Sequence, residues 1–488
     1  MRRACAGRVW KLLRGPEQLP ACQPERPGNL APMRLLPRLT PIALCAAACL
    51  NPLAAVDAPS ADEQMLRAIY TAALTTSPAY ENLRTLVTKH PGRLAGSKNL
   101  EGAVRWGEAL LQASGADRTE LQPVTVPHWE RGAPESVRLG THSLAAAALG
   151  NSGATSAGGL TAPVVELQSL DALATAEVKG KIVFFNRPMN PRHISTGLAY
   201  GEAGDQRNRG PAAAAKLGAI GVLVRSLTLA LDDHPHTGNT TFPPGTPRIP
   251  AVALSTVAAD HLSAALKQDP ALTVAMQVHS RTLEDAVSHN VLGELKGSTF
   301  PEKIILVGGH LDSWDIAPGA HDDGAGCVQS IEVLRLLKAV GYTPRHTLRV
   351  VLFTNEENGL RGATAYSTAA KAKNEVHVLA LETDSGGYQP RSFNLGNAAG
   401  NAHQLAARWQ PLFAPYGVGH FQKGTGGADV GPLLAHGATV AGLTPDSQRY
   451  FDIHHTAEDS LDKVNKRELE LGAAAMAALV YLVDQHGL

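Results

Sequence analysis

The sequence predicts an α/β protein: a mixed, mostly parallel sheet sandwiched by helices, with a smaller, β-rich region beside it. Three observations point there. From Ser288 onward, short continuous apolar runs alternate with helical patterns, which is how strands buried on both faces read. Between about 130 and 285 the texture changes to short strands separated by Gly-, Pro- and Asn-rich loops. Acidic and histidine clusters follow the apolar runs, at the carboxyl edge where open α/β sheets bind ligands.

Residues 1–32 are rich in Arg, Pro and Gly and show no helical or strand period, so they read as a non-native extension ahead of a start at Met33. The alternative is a plain N-terminal tail. Arg34 and Arg38 precede the apolar run Ile42 to Leu50, and Ala54 and Ala55 follow. A basic segment, a short apolar core and a small-residue exit make 33–55 a signal peptide, and its run is too short to span a bilayer. Cys49 as a lipidated cysteine is disfavoured because Ala46, not a larger aliphatic, stands three residues before it. Of the five cysteines, Cys5, Cys22, Cys45 and Cys49 lie in this leader, so the exported chain keeps only Cys327 and no internal disulfide. Cys327 sits in an apolar helix and reads as a small buried residue.

The mature chain starts near Val56, and 56–129 is the N-terminal part of the main domain. Helices are expected over Ala61–Ala73, Ala79–His90 and Lys98–Ser114, the last stopped by Gly115, and a strand over Thr119–Val126. The region 130–285 contributes strands at Val164–Leu167, Lys181–Phe185 and Gly221–Val224 and a helix at Gly210–Leu217. Its loop Asp232–Pro247 carries His234 and His236, read as solvated. The part 286–488 alternates strands (Ile304–Val307, Leu348–Phe353, Val376–Leu381, Thr439–Leu443) with helices (Gly324–Val340, Leu360–Ala372, Asn401–Trp409, Lys466–Gln485).

Composition narrows the function. The 488 residues suffice for two or three domains, and 44% hydrophobic content supports a sizeable core. Lys plus Arg and Asp plus Glu both number 44, and no basic stripe with interleaved aromatics occurs, which excludes a nucleic-acid binder. Charge normally sits on helix faces, so clusters at the mouths of buried strands need another cause. They are Gly308-Gly309-His310-Leu311-Asp312-Ser313, His321-Asp322-Asp323-Gly324-Ala325-Gly326, Thr354-Asn355-Glu356-Glu357-Asn358-Gly359, Glu382-Thr383-Asp384-Ser385-Gly386-Gly387 and His454-His455-Thr456-Ala457-Glu458-Asp459. Together they supply the imidazoles and carboxylates that suit zinc, and two ions sharing a carboxylate can stabilise both attacking and leaving oxygens. Taken singly, Glu356 and Glu357 could merely cap the helix that follows.

These five motifs, in this order, resemble the zinc peptidases of family M28 over roughly residues 60–488. Gly92-Arg93-Leu94-Ala95-Gly96-Ser97, Val126-Pro127-His128-Trp129-Glu130 and Gly426-Gly427-Ala428-Asp429-Val430-Gly431-Pro432 look like its carboxypeptidase Q branch. The resemblance implies the zinc exopeptidase fold, with 130–285 as an inserted domain of the protease-associated type. It implies two zinc ions: His310 and Asp384 at one, Glu357 and His455 at the other, Asp322 bridging. Glu356 would be the general base towards a metal-bridging water, and Asp312 would hold the second nitrogen of the His310 imidazole. The Asp322–Asp323 peptide is often cis in the family. Motif alignment favours Asp322 over Asp323 and His455 over His454 as ligands. Trp314 and Asp315 would shape the pocket. His321 would pack or face solvent, and His403, His420 and His436 are structural. Asp429 and its glycines are weaker candidates for the substrate wall, and Asp459 would support His455 or cap the last loop.

The implied activity is an exported exopeptidase of aminopeptidase or dipeptidase type acting on short peptides, without a membrane span after leader cleavage, and as a homodimer. Two alternatives share the fold: one-zinc glutaminyl cyclases, and binding modules on a dead peptidase fold, as in transferrin receptors. The full ligand set with Glu356 argues against both.

Overall fold

Local signals in the sequence start and stop the elements. In the computed structural model, which describes residues 58–488, the first helix, Ala61–Thr76, opens on a capping box: Ser60 Oγ accepts the Glu63 N–H at 3.2 Å, and the Glu63 carboxylate accepts the Ser60 N–H at 2.6 Å. Its buried stripe, Leu66, Ile69, Tyr70 and Ala73, keeps helical spacing. Ser97 caps the helix Lys98–Ala113, which ends just before Gly115 at φ +93°. The expected extension over 1–32 and the leader over 33–55 lie outside the described residues. Among the described residues no helix is long and apolar enough to cross a membrane.

The strands are β1 (Arg118–Glu130), β2 (Ser136–Leu139), β3 (His142–Leu144), β4 (Ala146–Ala148), β5 (Leu160–Leu167), β6 (Ile182–Phe185), β7 (Gly221–Arg225) and β8 (Ala251–Leu254). They continue with β9 (Thr273–Gln277), β10 (Arg281–Leu295), β11 (Phe300–His310), β12 (His346–Phe353), β13 (Val376–Glu382), β14 (Pro390–Gly396), β15 (His420–Lys423) and β16 (Thr439–Pro445). One eight-stranded sheet has the order β1-β10-β12-β11-β13-β16-β14-β15. Its centre, β12-β11-β13-β16, is parallel, while β1, β10 and β14 pair antiparallel. Helices Ala325–Ala339 and Lys466–His486, each buried along most of its length, share a core with these strands that includes Leu336, Val350 and Leu479. A second cluster, with Val351, Phe353 and Ala380, packs against Tyr366 and Ala370 of the helix Arg361–Ala372. Successive residues of one strand (Val350, Val351) thus enter different cores, as a strand with two covered faces requires.

A second eight-stranded sheet, β3-β2-β9-β5-β6-β7-β8-β4, is built entirely from 136–277. Its four central strands, β5 to β8, are parallel, so it is more than a set of loops and short strands. Both ends of this stretch meet at one place, because β1 pairs antiparallel with β10 from Arg118↔Glu294 to Glu130↔Arg281. The core of the second sheet reaches Leu94, Trp129, Trp314 and Ala317, outside 136–277, and residues 58–488 form one unit. The helix expected over Asn401–Trp409 is shorter, Ala402–Ala406 followed by a tight turn Ala407–Trp409 ahead of Pro411.

Candidate metal centre

The carboxyl ends of β11, β12 and β13 and the loops after them deliver the predicted residues to one spot. β11 ends on His310 and β12 runs into Asn355, whose positive φ (+62°) turns the chain so that Glu356 and Glu357 follow immediately. β13 delivers Asp384 two residues past its end, and the loop before Lys466–His486 delivers His454 and His455. His310 Nε2 lies 3.2 Å from Asp322 Oδ1 and 3.5 Å from Asp384 Oδ1. His455 Nε2 lies 3.2 Å from the other oxygen, Asp322 Oδ2, and 3.1 Å from Glu357 Oε2. The Asp322 carboxylate therefore faces His310 through one oxygen and His455 through the other.

These separations test the site against a metal. Zinc held at about 2.0–2.1 Å by a tetrahedron of N and O donors leaves the donors roughly 3.3 Å apart. The four separations match that edge. Asp322 Oδ2 and Glu357 Oε1 are buried without a hydrogen-bond partner, as donors reserved for a cation are. Four carboxyl groups, Asp322, Glu356, Glu357 and Asp384, outnumber the three imidazoles of His310, His454 and His455, a balance that favours positive charge between them. Burial and the neighbouring carboxylates hold the Glu356 carboxyl well above its usual range. Burial and Asp322 push Glu357 up to about 7. Burial opposes the charge on Asp322, but His310 at one oxygen and the His455 and His454 imidazoles beside the other outweigh it and hold Asp322 well below the ordinary carboxylate range.

The supporting contacts differ in places from those expected. His310 Nδ1 donates to the backbone carbonyl of Asp312 at 3.0 Å, while the Asp312 carboxylate stands 3.8 Å away. That carboxylate instead accepts the N–H groups of Glu356 (3.0 Å) and Glu357 (3.3 Å), so Asp312 anchors the turn carrying both glutamates. The reason is directional: leaving an extended strand, the chain brings its own carbonyl back to the imidazole and sends the side chain across to the end of β12. Asp323 faces away from the cluster, accepting N–H bonds from His310 and Gly326, both at 3.0 Å. The peptide between Asp322 and Asp323 is cis. Asp459 accepts from His321 N–H (2.6 Å) and Asp322 N–H (3.1 Å), bracing the Asp322 loop rather than His455. His321 packs, fully buried, against Tyr388 and accepts the Gly387 N–H. Cys327 is buried and donates to the His310 carbonyl.

His454 also comes close, its Nε2 3.4 Å from Asp322 Oδ2 and its ring stacked on His455 at 3.5 Å. Of the two histidines, it is His455 that also reaches Glu357. Asp429 is fully buried beside Glu382, which accepts its N–H at 3.0 Å, and so does not form an open substrate wall. Trp314 is buried with its ring 5.6 Å from that of His455, and Asp315 takes a forked contact from Arg131.

Two residues here carry no local signal in the sequence. His236, expected in solvent, is fully buried, its Nδ1 donating to the His454 carbonyl at 2.7 Å; His234 is half-exposed as expected. Arg93, buried without an acidic partner, donates to the carbonyls of Leu311, Pro318 and Gly319 and so pins the loop between β11 and Asp322. The motif around Arg93 was visible, but not its reach. A cleft of about 740 Å³ opens over the cluster, lined by Glu356, Asp384 and Tyr450 and, from the 136–277 region, by Asn151, Tyr200 and Asn239.

Comparisons with known proteins agree with this geometry. The sequence model of "Peptidase family M28" matches residues 290–480. The chain is 34% identical over 409 residues to the carboxypeptidase Q of Bos taurus and to that of Homo sapiens, covering 83% of this chain and 85% of each relative. A peptidase M28 precursor from Shewanella amazonensis SB2B, known from a crystal structure, is 35% identical with a TM-score of 0.82, covering 87% of this chain and 96% of that one. A zinc aminopeptidase from Bacillus subtilis has the same fold, with a TM-score of 0.60 at 21% identity over 83% of this chain and 94% of that one.

Proposed function

Since the chain belongs to peptidase family M28, among proteins similar to carboxypeptidase Q, we propose that it is an exported di-zinc exopeptidase acting on short peptides. The observation that carries the reading is the Asp322 carboxylate, whose two oxygens each stand 3.2 Å from a different histidine Nε2. His310, Asp322 and Asp384 would hold one ion, and Asp322, Glu357 and His455 the other. Bound zinc supplies Lewis-acid charge and makes water nucleophilic at neutral pH.

The chain's own residues do the rest. Glu356 lines the cleft and takes a proton from the attacking water, whose oxygen bonds to the scissile carbonyl carbon. Glu356 then returns that proton to the leaving nitrogen as the C–N bond breaks. Asp312 keeps the Glu356 backbone fixed during both transfers. Residues 130–285 serve as an inserted domain of the protease-associated type, forming part of the wall of the cleft and limiting access to short chains. Export rests on the leader read in 33–55, and assembly as a homodimer on the family resemblance.

The test is metal content by mass spectrometry on the mature protein, with wild type and Glu356→Gln assayed on dipeptides and aminoacyl anilides. Two zinc per chain in both proteins and a loss of about 10²–10⁴-fold in kcat for the variant are expected. One zinc would redirect the reading to an acyltransferase of the cyclase type, and none to a binding module.

A further inference from the structure

His455 is held by more than its own loop. Its Nδ1 donates to the carbonyl of Thr237 at 3.2 Å, and its carbonyl accepts the Thr237 N–H at 3.0 Å. One residue earlier, the His454 carbonyl accepts from His236 Nδ1 at 2.7 Å. Two consecutive residues between β7 and β8 are thus bonded three times to two consecutive residues of the last cluster. His455 has φ +63°, a left-handed conformation unusual for a residue with a side chain, and such a conformation persists where surrounding bonds over-determine it.

The other side of this segment is fastened to the second sheet. Thr237 Oγ1 donates to the Ala148 carbonyl at 2.7 Å, at the end of β4. Gly150 N–H donates to the Gly238 carbonyl at 2.9 Å, and Thr240 N–H to the Gly150 carbonyl at 3.0 Å. Burial pushes the His236 imidazole down to about 3, so it stays neutral and its single N–H is committed to the His454 carbonyl.

We infer that His236 and Thr237 form a strap by which the 136–277 region positions His455, setting the metal affinity of the position that His455 shares with Glu357. His236 and Thr237 are positioning residues. The Thr237 carbonyl accepts a hydrogen bond from the Nδ1–H of His455 and leaves the Nε2 lone pair facing Asp322 and Glu357, as a ligand's outer partner must. This inference rests on the two-metal reading above, and it adds that the second sheet is a working part of one metal position and not of the other.

The experiment is a zinc titration of the apo full-length mature protein against a chromophoric chelator, for wild type, His236→Leu and His236→Asn. His236→Leu removes the donor; His236→Asn keeps an N–H donor where Nδ1 stands. Wild type should bind two equivalents. In His236→Leu one equivalent should weaken by about 10–100-fold and the other stay within about threefold, with His236→Asn restored to near wild type. A role in structure alone would lower the melting temperature without singling out one equivalent. Two wild-type affinities in His236→Leu overturn the strap, whereas failure of wild type to bind two equivalents overturns the parent reading. Because coupling is reciprocal, the wild type gives a second test that survives misfolding of a variant. Amide hydrogen exchange of residues 232–241 should slow as one of the two zinc equivalents fills, and exchange indifferent to zinc refutes the strap.

Discussion

Substituting Asp312 by asparagine separates two jobs that one residue performs through different atoms. Its carbonyl orients His310, and its carboxylate holds the N–H groups of Glu356 at 3.0 Å and Glu357 at 3.3 Å. Asparagine keeps the carbonyl and one acceptor oxygen but turns an amide N–H₂ towards the other backbone N–H. A hydrogen bond to a charged group contributes about 1.5–3 kcal/mol, and the variant loses one and weakens the other. Burial works against the native charge, holding the Asp312 carboxyl above its usual range, so removing that charge recovers part of the loss. A net destabilisation of about 2 kcal/mol follows. A shift of the Glu356 turn by about 1 Å should lower kcat by about 10²-fold. Zinc content should not change, since the His310 tautomer is set by the carbonyl. The assay combines urea denaturation, dipeptide kinetics and mass spectrometry of the metal. Loss of zinc with an intact fold would show that the carboxylate holds His310 after all; unchanged kcat and stability would refute the anchoring of Glu356.

Two further outcomes are expected. Gly326→Ala would place a Cβ closer than 3.0 Å to the Thr383 carbonyl and to both Asp323 carboxylate oxygens, and neither the backbone nor the committed carboxylate can yield. A stability loss of about 3 kcal/mol is expected by denaturant titration, with weakened zinc binding because Asp323 also holds the His310 N–H. His377, bonded to the Tyr366 hydroxyl, is held down to about 4 by burial and then by Arg349. A lowered histidine pKa contributes stability above the unfolded value of about 6.5 that is lost as pH falls towards about 4. The stability advantage of wild type over His377→Phe should therefore shrink by about 2 kcal/mol between about pH 7 and pH 5; an advantage that stays constant or grows would refute the assignment.

What was legible in the sequence is what is local. Apolar runs such as Leu348–Phe353 declare a buried strand within a few residues, and acids and histidines just beyond such runs declare a ligand edge. His310, Asp322, Glu357, Asp384 and His455 all belong to such runs or the loops after them, and they do converge. What escaped depends on distant partners. His236 looks like any loop histidine until His454, 218 residues on, lends it a carbonyl. Arg93 finds its carbonyls 218 to 226 residues away. Asp312 was singled out for the right imidazole but the wrong atom, because spacing does not say which way a side chain leaves a strand.

The antiparallel pairing of β1 with β10 has a mechanical consequence. Residues 131–280 leave and return through one two-stranded stalk, Glu130 lying opposite Arg281. The stalk is not the only tie, for the core of the second sheet also takes in Leu94, Trp314 and Ala317, and Arg131 forks onto Asp315. The bonds from His236 and Thr237 to His454 and His455 add a tie at the metal cluster itself. Any displacement of the region would have to break them, and they are fastened to the last histidine of the cluster. The cleft wall contributed by this region and the seat of His455 therefore hang on the same bonds.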